Sequence, residues 1–212
     1  MKLRLKAERD EILTEIFKLY PTKTIELDFE TPFQLLTAVM LSAQMTDKGV
    51  NKATKKFFEI VKTPADLLKL EPEKVEVMLR GVNYYRVKTK HLFQTAEKLV
   101  HENGGKIPHT LETIRTLPGV GVKTAKVVLS HLYDMPFIGV DTHIHRVMNR
   151  MGIVKTKTPE ETDKKLEKLL SEDQKRTMHH AIVLFGRYIC TAKKCKCSET
   201  PLVKWCGCDE CR

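Results

Sequence analysis

Two residues of this sequence have the types and spacing for covalent chemistry on a carbon electrophile. Lys123 follows directly on Leu117-Pro-Gly-Val-Gly-Val122, and Asp141 comes 18 positions later (141 − 123) in Gly139-Val-Asp-Thr-His143. The segment 111–129 reads as helix, tight turn, helix, with Lys123 in the first turn of the second helix. There the positive end of the helix macrodipole disfavours an ammonium. Partial burial would act in the same direction and leave an amine able to attack carbon. The apolar return segment 137–140 is strand-like and would bring Asp141 back towards Lys123. A carboxylate so placed would stabilise positive charge developing on a sugar and manage protons on the amine. The plainer readings are a solvated or phosphate-contacting lysine and an aspartate that only caps a helix.

Gly119 and Gly121 bracket Val120, so the turn is open to conformations closed to residues with a Cβ and can bring its backbone close to another surface. Its amides, with those opening the next helix, form an anion site, and a DNA phosphate is the natural ligand in a basic protein. A lone Gly-x-Gly serves equally as an ordinary helix–helix turn. Here it stands directly before Lys123 and Thr124. The 37 Lys and Arg against 27 Asp and Glu leave a net charge of +10, spread along the whole chain. That balance favours a polyanionic partner, nucleic acid before an acidic membrane surface. No segment approaches the roughly 20 apolar residues that span a bilayer. The first six residues alternate charge with leucine instead of building the apolar stretch of a signal peptide. The expectation is a cytoplasmic, nucleoid-associated protein with no membrane partner.

The elements that must position these residues are helices. Apolar residues recur at helical spacing, as in Ile12-Leu13-Ile16-Phe17 and Leu166-Leu169-Leu170, and strand-like alternation is nearly absent. Thr31-Pro32, Thr63-Pro64, Glu71-Pro72 and Thr158-Pro159 each place a proline just inside a polar cap, and Thr158 to Glu161 reads as a capping box. The class is therefore all-α, with about ten helices. No Gly/Ser linker divides the chain, so any division must be into compact lobes. Periodicity stops near Cys190, and all six cysteines fall between Cys190 and Cys211. In a chain with no secretion signal such a cluster points to metal or iron–sulfur binding over disulfides.

At these residues the chain resembles the endonuclease III branch of the helix-hairpin-helix DNA glycosylase superfamily. Leu117 to Ala125 and Val140-Asp-Thr-His-Ile-His-Arg-Val147 match its signature, including the separation of Lys123 from Asp141. The match extends to Pro32-Phe33, Leu41 to Asp47, Val50 to Ala53, His179-His180 and Gly186-Arg187-Tyr188. The resemblance implies two helical lobes flanking a DNA-binding cleft. One is a six-helix barrel with the hairpin, residues 23–134; the other joins 1–22 to 135–212 and ends in a cysteine-rich loop, 190–212. It implies a monomeric bifunctional DNA glycosylase and AP lyase, acting on duplex DNA that carries damaged bases or abasic sites. The lysine attacks C1′ of the damaged nucleotide, expels the base and forms a Schiff base whose β-elimination cuts the strand. Those roles pass to Lys123 and Asp141. Oxidised pyrimidines are the leading substrate. Mismatched thymine or uracil, or a non-catalytic module that binds distorted DNA, are the alternatives.

Because the target base must leave the stack, something must fill the gap. Gln44 matches the family residue that inserts into the duplex, Val82 lies near the family's intercalating position, and His143 resembles a lesion-pocket residue. Asp47 is similar to a helix-capping acid. The family's [4Fe–4S] loop has six, two and five residues between successive cysteines, and here that register runs Cys190, Cys197, Thr200 and Cys206. Thr200 thus stands at the third ligand position. Cys195, Cys208 and Cys211 are extra, and the set taken forward is Cys190, Cys197, Cys206 and Cys208, with zinc or no cluster as alternatives. Lys193, Lys194 and Lys196, with Lys204, form a candidate phosphate-contacting finger.

Overall fold

A computed structural model of the chain describes residues 3–208. Cys211 lies outside the described residues. The fold is all-α, and among the described residues the only extended pairing is an isolated bridge between Cys190 and Cys195. The chain divides into two compact units, one formed by the chain up to Ile25 and from Pro136 onward, the other by Glu26–Met135.

α1 (Lys6–Leu19) belongs to the first unit. The second unit holds α2 (Pro32–Leu41), α3 (Asp47–Ile60), α4 (Pro64–Leu67), α5 (Pro72–Met78), α6 (Tyr85–Asn103), α7 (Leu111–Ile114) and α8 (Val122–Tyr133). The chain then returns to the first unit with α9 (Thr142–Arg150), α10 (Pro159–Leu169), α11 (Glu172–Tyr188) and two 3-10 turns, Cys197–Glu199 and Pro201–Trp205. Residues 137–140 run irregularly, not as a strand.

The proline-marked starts fall where the sequence places them. Thr31, Thr63 and Thr158 each accept from a backbone N–H two or three residues into the helix, and Glu71 caps α5 without a side-chain bond. The expected box at α10 is displaced by one residue, since Glu161 Oε2 accepts from Lys157 N at 2.8 Å. α2 is apolar on all sides and buried from Phe33 to Leu41, as befits a core helix. It packs against α3, α6 and α8. Gln34, 1% exposed, is satisfied by donating to the carbonyls of Phe58 and Val61 and accepting from Glu30 N. The first unit has its own core, built from Ile12 and Ile16 of α1, Ile144 and Val147 of α9, and Ile182 and Phe185 of α11.

One face of α6 supports the turn between α7 and α8. Thr95 Oγ1 donates to Pro118 O at 2.9 Å, and Lys98 Nζ donates to Thr116 O at 3.3 Å. His91, a turn earlier, lies against Gly119, where an added Cβ would come within 2.9 Å of His91 Nδ1 and 3.1 Å of its Cβ. Gly119 has φ +76°, so both backbone and packing require glycine. Gly121 differs from the sequence expectation. Its φ of −82° and ψ of 175° suit any residue, and nothing lies within 4 Å of an added Cβ.

This contrast generates a stability prediction. Gly119→Ala forces a left-handed alanine into the His91 ring and should cost about 1–3 kcal/mol in urea denaturation. Gly121→Ser introduces a favourable N-cap for α8 and should leave stability within about 0.5 kcal/mol or raise it. Equal losses in the two variants would refute the assignment.

Candidate active site and cysteine centre

Lys123 lies in the first turn of α8, immediately after the glycine turn, and is exposed. The partial burial expected from sequence is therefore absent, and its placement rests on the helix terminus and the hairpin. Gly121 is the N-cap of α8 and contributes no side-chain acceptor, while Ala125 N begins the helical ladder on Gly121 O at 2.9 Å. The amides that open a helix have no intrahelical acceptor and face outward as donors. Val120 is 6% exposed and its N–H is used on Leu117 O at 3.1 Å, so it serves the turn and not an anion.

Gln44 is exposed at the end of α2 with φ 59°, a left-handed backbone. Two distant residues hold it there. Lys88 Nζ donates to Leu41 O and Ala43 O, both at 2.7 Å, and Asn83 Nδ2 donates to Gln44 O at 2.7 Å. Burial pulls the Lys88 ammonium below the ordinary lysine range. Thr46, not Asp47, caps α3, accepting from Gly49 N at 3.2 Å.

Val82 corrects an expectation. It is 2% exposed and packs inward, and its N–H donates to Leu79 O, so the side chain expected to project towards DNA is buried. Tyr84, two residues on, is 68% exposed and left-handed at φ 57°. Asn83, between them, bonds the Gln44 backbone, so the loop that buries Val82 turns Tyr84 outward.

In the first unit Asp141 is the N-cap of α9. Its Oδ1 accepts from Ile144 N at 2.8 Å, and the carboxylate is half-buried. His143 is half-buried, and burial holds its imidazole below the ordinary histidine range despite the nearby Asp141 charge. Its Nδ1 lies 3.3 Å from Arg146 Nη2, which can only donate. Lys193, Lys194 and Lys196 are all exposed on the turn that follows Cys190. Lys204 does not join them. Its Nζ pairs with Glu11 at 2.9 Å and sits 3.9 Å above the Trp205 ring.

The cysteines converge. The sulfurs of Cys190, Cys195 and Cys197 lie within 4.8 Å of one another, and Cys206 Sγ is 3.8 Å from Cys195 Sγ. Hydrogen bonds from Cys197 and Cys206, then from Arg150, pull the Cys190 thiol down to about 4, and the same bond to Cys190 pushes Cys197 up. Cys208, expected from sequence as a ligand, is buried and is not among the three within 4.8 Å of one another, whereas Cys195 is. Two arginines of α9 anchor the loop. Arg146 Nε donates to Cys190 O at 2.9 Å, and Arg150 Nη1 donates to Thr191 O at 2.6 Å. Sequence reasoning missed both, as it missed Lys88, Asn83 and Tyr84; the αR-interrupting polar residues after Gly81 were the one available signal.

A family model for HhH-GPD superfamily base excision DNA repair proteins matches residues 37–172. Endonuclease III of Escherichia coli strain K12 is 42% identical over 194 residues, 92% of this chain and 92% of that protein. The chain belongs to the endonuclease III family. Endonuclease III of Bacillus subtilis strain 168 is 37% identical over 195 residues, 92% of this chain and 89% of that one. A solved trapped endonuclease III–DNA covalent intermediate superposes with a TM-score of 0.92 at 36% identity, covering 99% of this chain and 98% of the other. A thermostable thymine-DNA glycosylase shares the fold, with a TM-score of 0.82 at 23% identity over 94% of this chain and 95% of its own. Endonuclease III family membership makes the chain an enzyme of base excision DNA repair. No helix among the described residues is long and apolar enough to cross a membrane.

The Asp141 geometry separates a structural role from a chemical one. Asp141→Asn retains the cap on Ile144 N and should unfold within about 0.5 kcal/mol of the parent, while Asp141→Ala should lose about 1 kcal/mol. Thermal melts of the two variants check this.

Proposed function

We propose that the chain removes oxidised pyrimidines from duplex DNA and cuts the strand 3′ to the abasic site. The observation that carries the reading is Lys123 at the opening of α8, directly behind a buttressed hairpin, in a member of the endonuclease III family. The Lys123 amine attacks C1′ as the N-glycosidic bond breaks and the base leaves with the bonding electrons. Loss of a proton and opening of the sugar give the Schiff base. Removal of a C2′ proton then expels the 3′ phosphate, and water releases the product from the lysine. The Asp141 carboxylate stabilises the positive charge on the sugar and accepts the ammonium proton that makes Lys123 nucleophilic. Its cap bond fixes one oxygen, which holds the other in a constant direction.

The amides opening α8 and the exposed Lys194 and Lys196 are phosphate contacts, and Gln44 fills the space left by the extruded base. We assign the second wedge to Tyr84 in place of Val82, because the exposed aromatic ring is the one able to stack. The four-cysteine group is the place for the family's [4Fe–4S] cluster. The donor set fits, since four thiolates are what such a cluster requires. Bound there, it would tie the chain after Cys190 to itself as a structural cross-link. A second reading rests on the 3.8 Å between Cys195 and Cys206 sulfurs, which matches the edge of a tetrahedron around one zinc ion with bonds of about 2.3 Å.

Borohydride trapping on a thymine-glycol duplex should give a covalent adduct that disappears in Lys123→Ala and falls at least roughly 100-fold in rate in Asp141→Asn. Preferential turnover of a G·T or G·U duplex would move the substrate to mismatches, and no adduct on any lesion would refute the lyase reading.

Tyr84→Ala should lower kcat/KM on the same duplex by roughly 5- to 150-fold, the value of about 1–3 kcal/mol of stacking, with an unchanged melting temperature. Val82→Ala should do the reverse, costing about 2 kcal/mol of stability with near-normal activity once folded.

A further inference from the structure

The family register leaves the cysteine centre one sulfur short, and the structure shows why Thr200 cannot make up the difference. Its hydroxyl donates to Cys197 O at 2.9 Å and accepts from Leu202 N at 3.3 Å, capping the turn Pro201–Trp205. Both of its functions are spent on backbone.

Cys195 is delivered to the group by a tight loop. Thr191 Oγ1 donates to Lys194 O and accepts from Lys194 N, Lys196 N donates to Ile189 O at 2.9 Å, and Cys190 and Cys195 face one another across the antiparallel bridge. The loop is fixed from outside by Arg150, which donates to Thr191 O at 2.6 Å and Ala192 O at 3.1 Å. The result is three sulfurs, Cys190, Cys195 and Cys197, within 4.8 Å of one another. Cys206 closes the set, with its sulfur 3.8 Å from that of Cys195. Arg150 Nη1 also reaches Cys190 Sγ at 3.8 Å, a positive charge suited to a thiolate-rich centre. Cys208, two residues beyond Cys206, makes no hydrogen-bond-range contact with any of the four; the intervening Gly207 N–H is tied to Arg150 O at 2.7 Å.

We propose that Cys195 replaces the missing third family ligand, so that Cys190, Cys195, Cys197 and Cys206 form a four-thiolate metal centre and Cys208 stands outside it. The inference rests on the proposed function for the presence of a metal centre, but the ligand identity is separate from the kind of metal.

The test is metal and sulfide content of the full-length chain purified without oxygen, with visible absorption and electron paramagnetic resonance after mild oxidation. About four irons and four sulfides in the parent support the cluster; one zinc and no sulfide replaces it with the single-ion reading, and no bound metal overturns both readings. Cys195→Ser should lose more than half of the bound metal, or, for the cluster, convert to a three-iron species with its own paramagnetic signal. Cys208→Ser should keep the full complement. Cys195→Ser combined with Thr200→Cys should regain it, which a merely misfolded loop would not do. Full metal content in Cys195→Ser, or loss in Cys208→Ser with retention in Cys195→Ser, overturns the assignment.

Discussion

Lys88 Nζ donates to the carbonyls of Leu41 and Ala43, and the loop that carries Gln44 owes its shape to that ammonium. Lys88 begins a row on α6 that continues through His91, Thr95 and Lys98, spaced three and four residues apart and so on one side of the helix. The first member fixes the Gln44 loop, and the other three fix the hairpin ahead of Lys123. A single helix thus supports both the Gln44 loop and the hairpin ahead of Lys123. The charge on Lys88 compensates the carbonyl end of α2, which makes the bond stronger than a neutral one despite the partial burial of the ammonium.

The first unit repeats the plan with arginine in place of lysine. Arg146 and Arg150 sit one turn apart on α9, the helix that Asp141 caps, and they grip the carbonyls around Cys190. The helix that aims the carboxylate therefore also holds the cysteine loop. Arg4 extends the arrangement, donating to Met151 O and Trp205 O and so joining the chain before α1 to the last described turn.

Local features were legible in the sequence. Threonine–proline starts, the helical class and the positions of Lys123 in the first turn of α8 and Asp141 at the start of α9 each depend on a few adjacent residues, whereas the expected burial of Lys123 and the strand at 137–140 did not appear. What escaped were relations between residues far apart in sequence. Nothing near Lys88 announces the carbonyls it serves 45 and 47 positions earlier. Val82 is buried and Tyr84 exposed beside a left-handed residue, and periodicity does not register one such residue. Thr200 marks a departure from the family's cysteine spacing, but the convergence of Cys195 on Cys190 and Cys197 depends on the folded loop at Thr191.

The capping bond of Thr200 has a consequence for ancestry. A chain with sulfur at both 195 and 200 would hold its metal by either one, so a cysteine gained at 195 makes the one at 200 dispensable before it is lost. Threonine then improves the start of the last turn at no cost to the centre. With Cys195 as a ligand, as proposed, the exchange needs only single substitutions and leaves four thiolates available at every step.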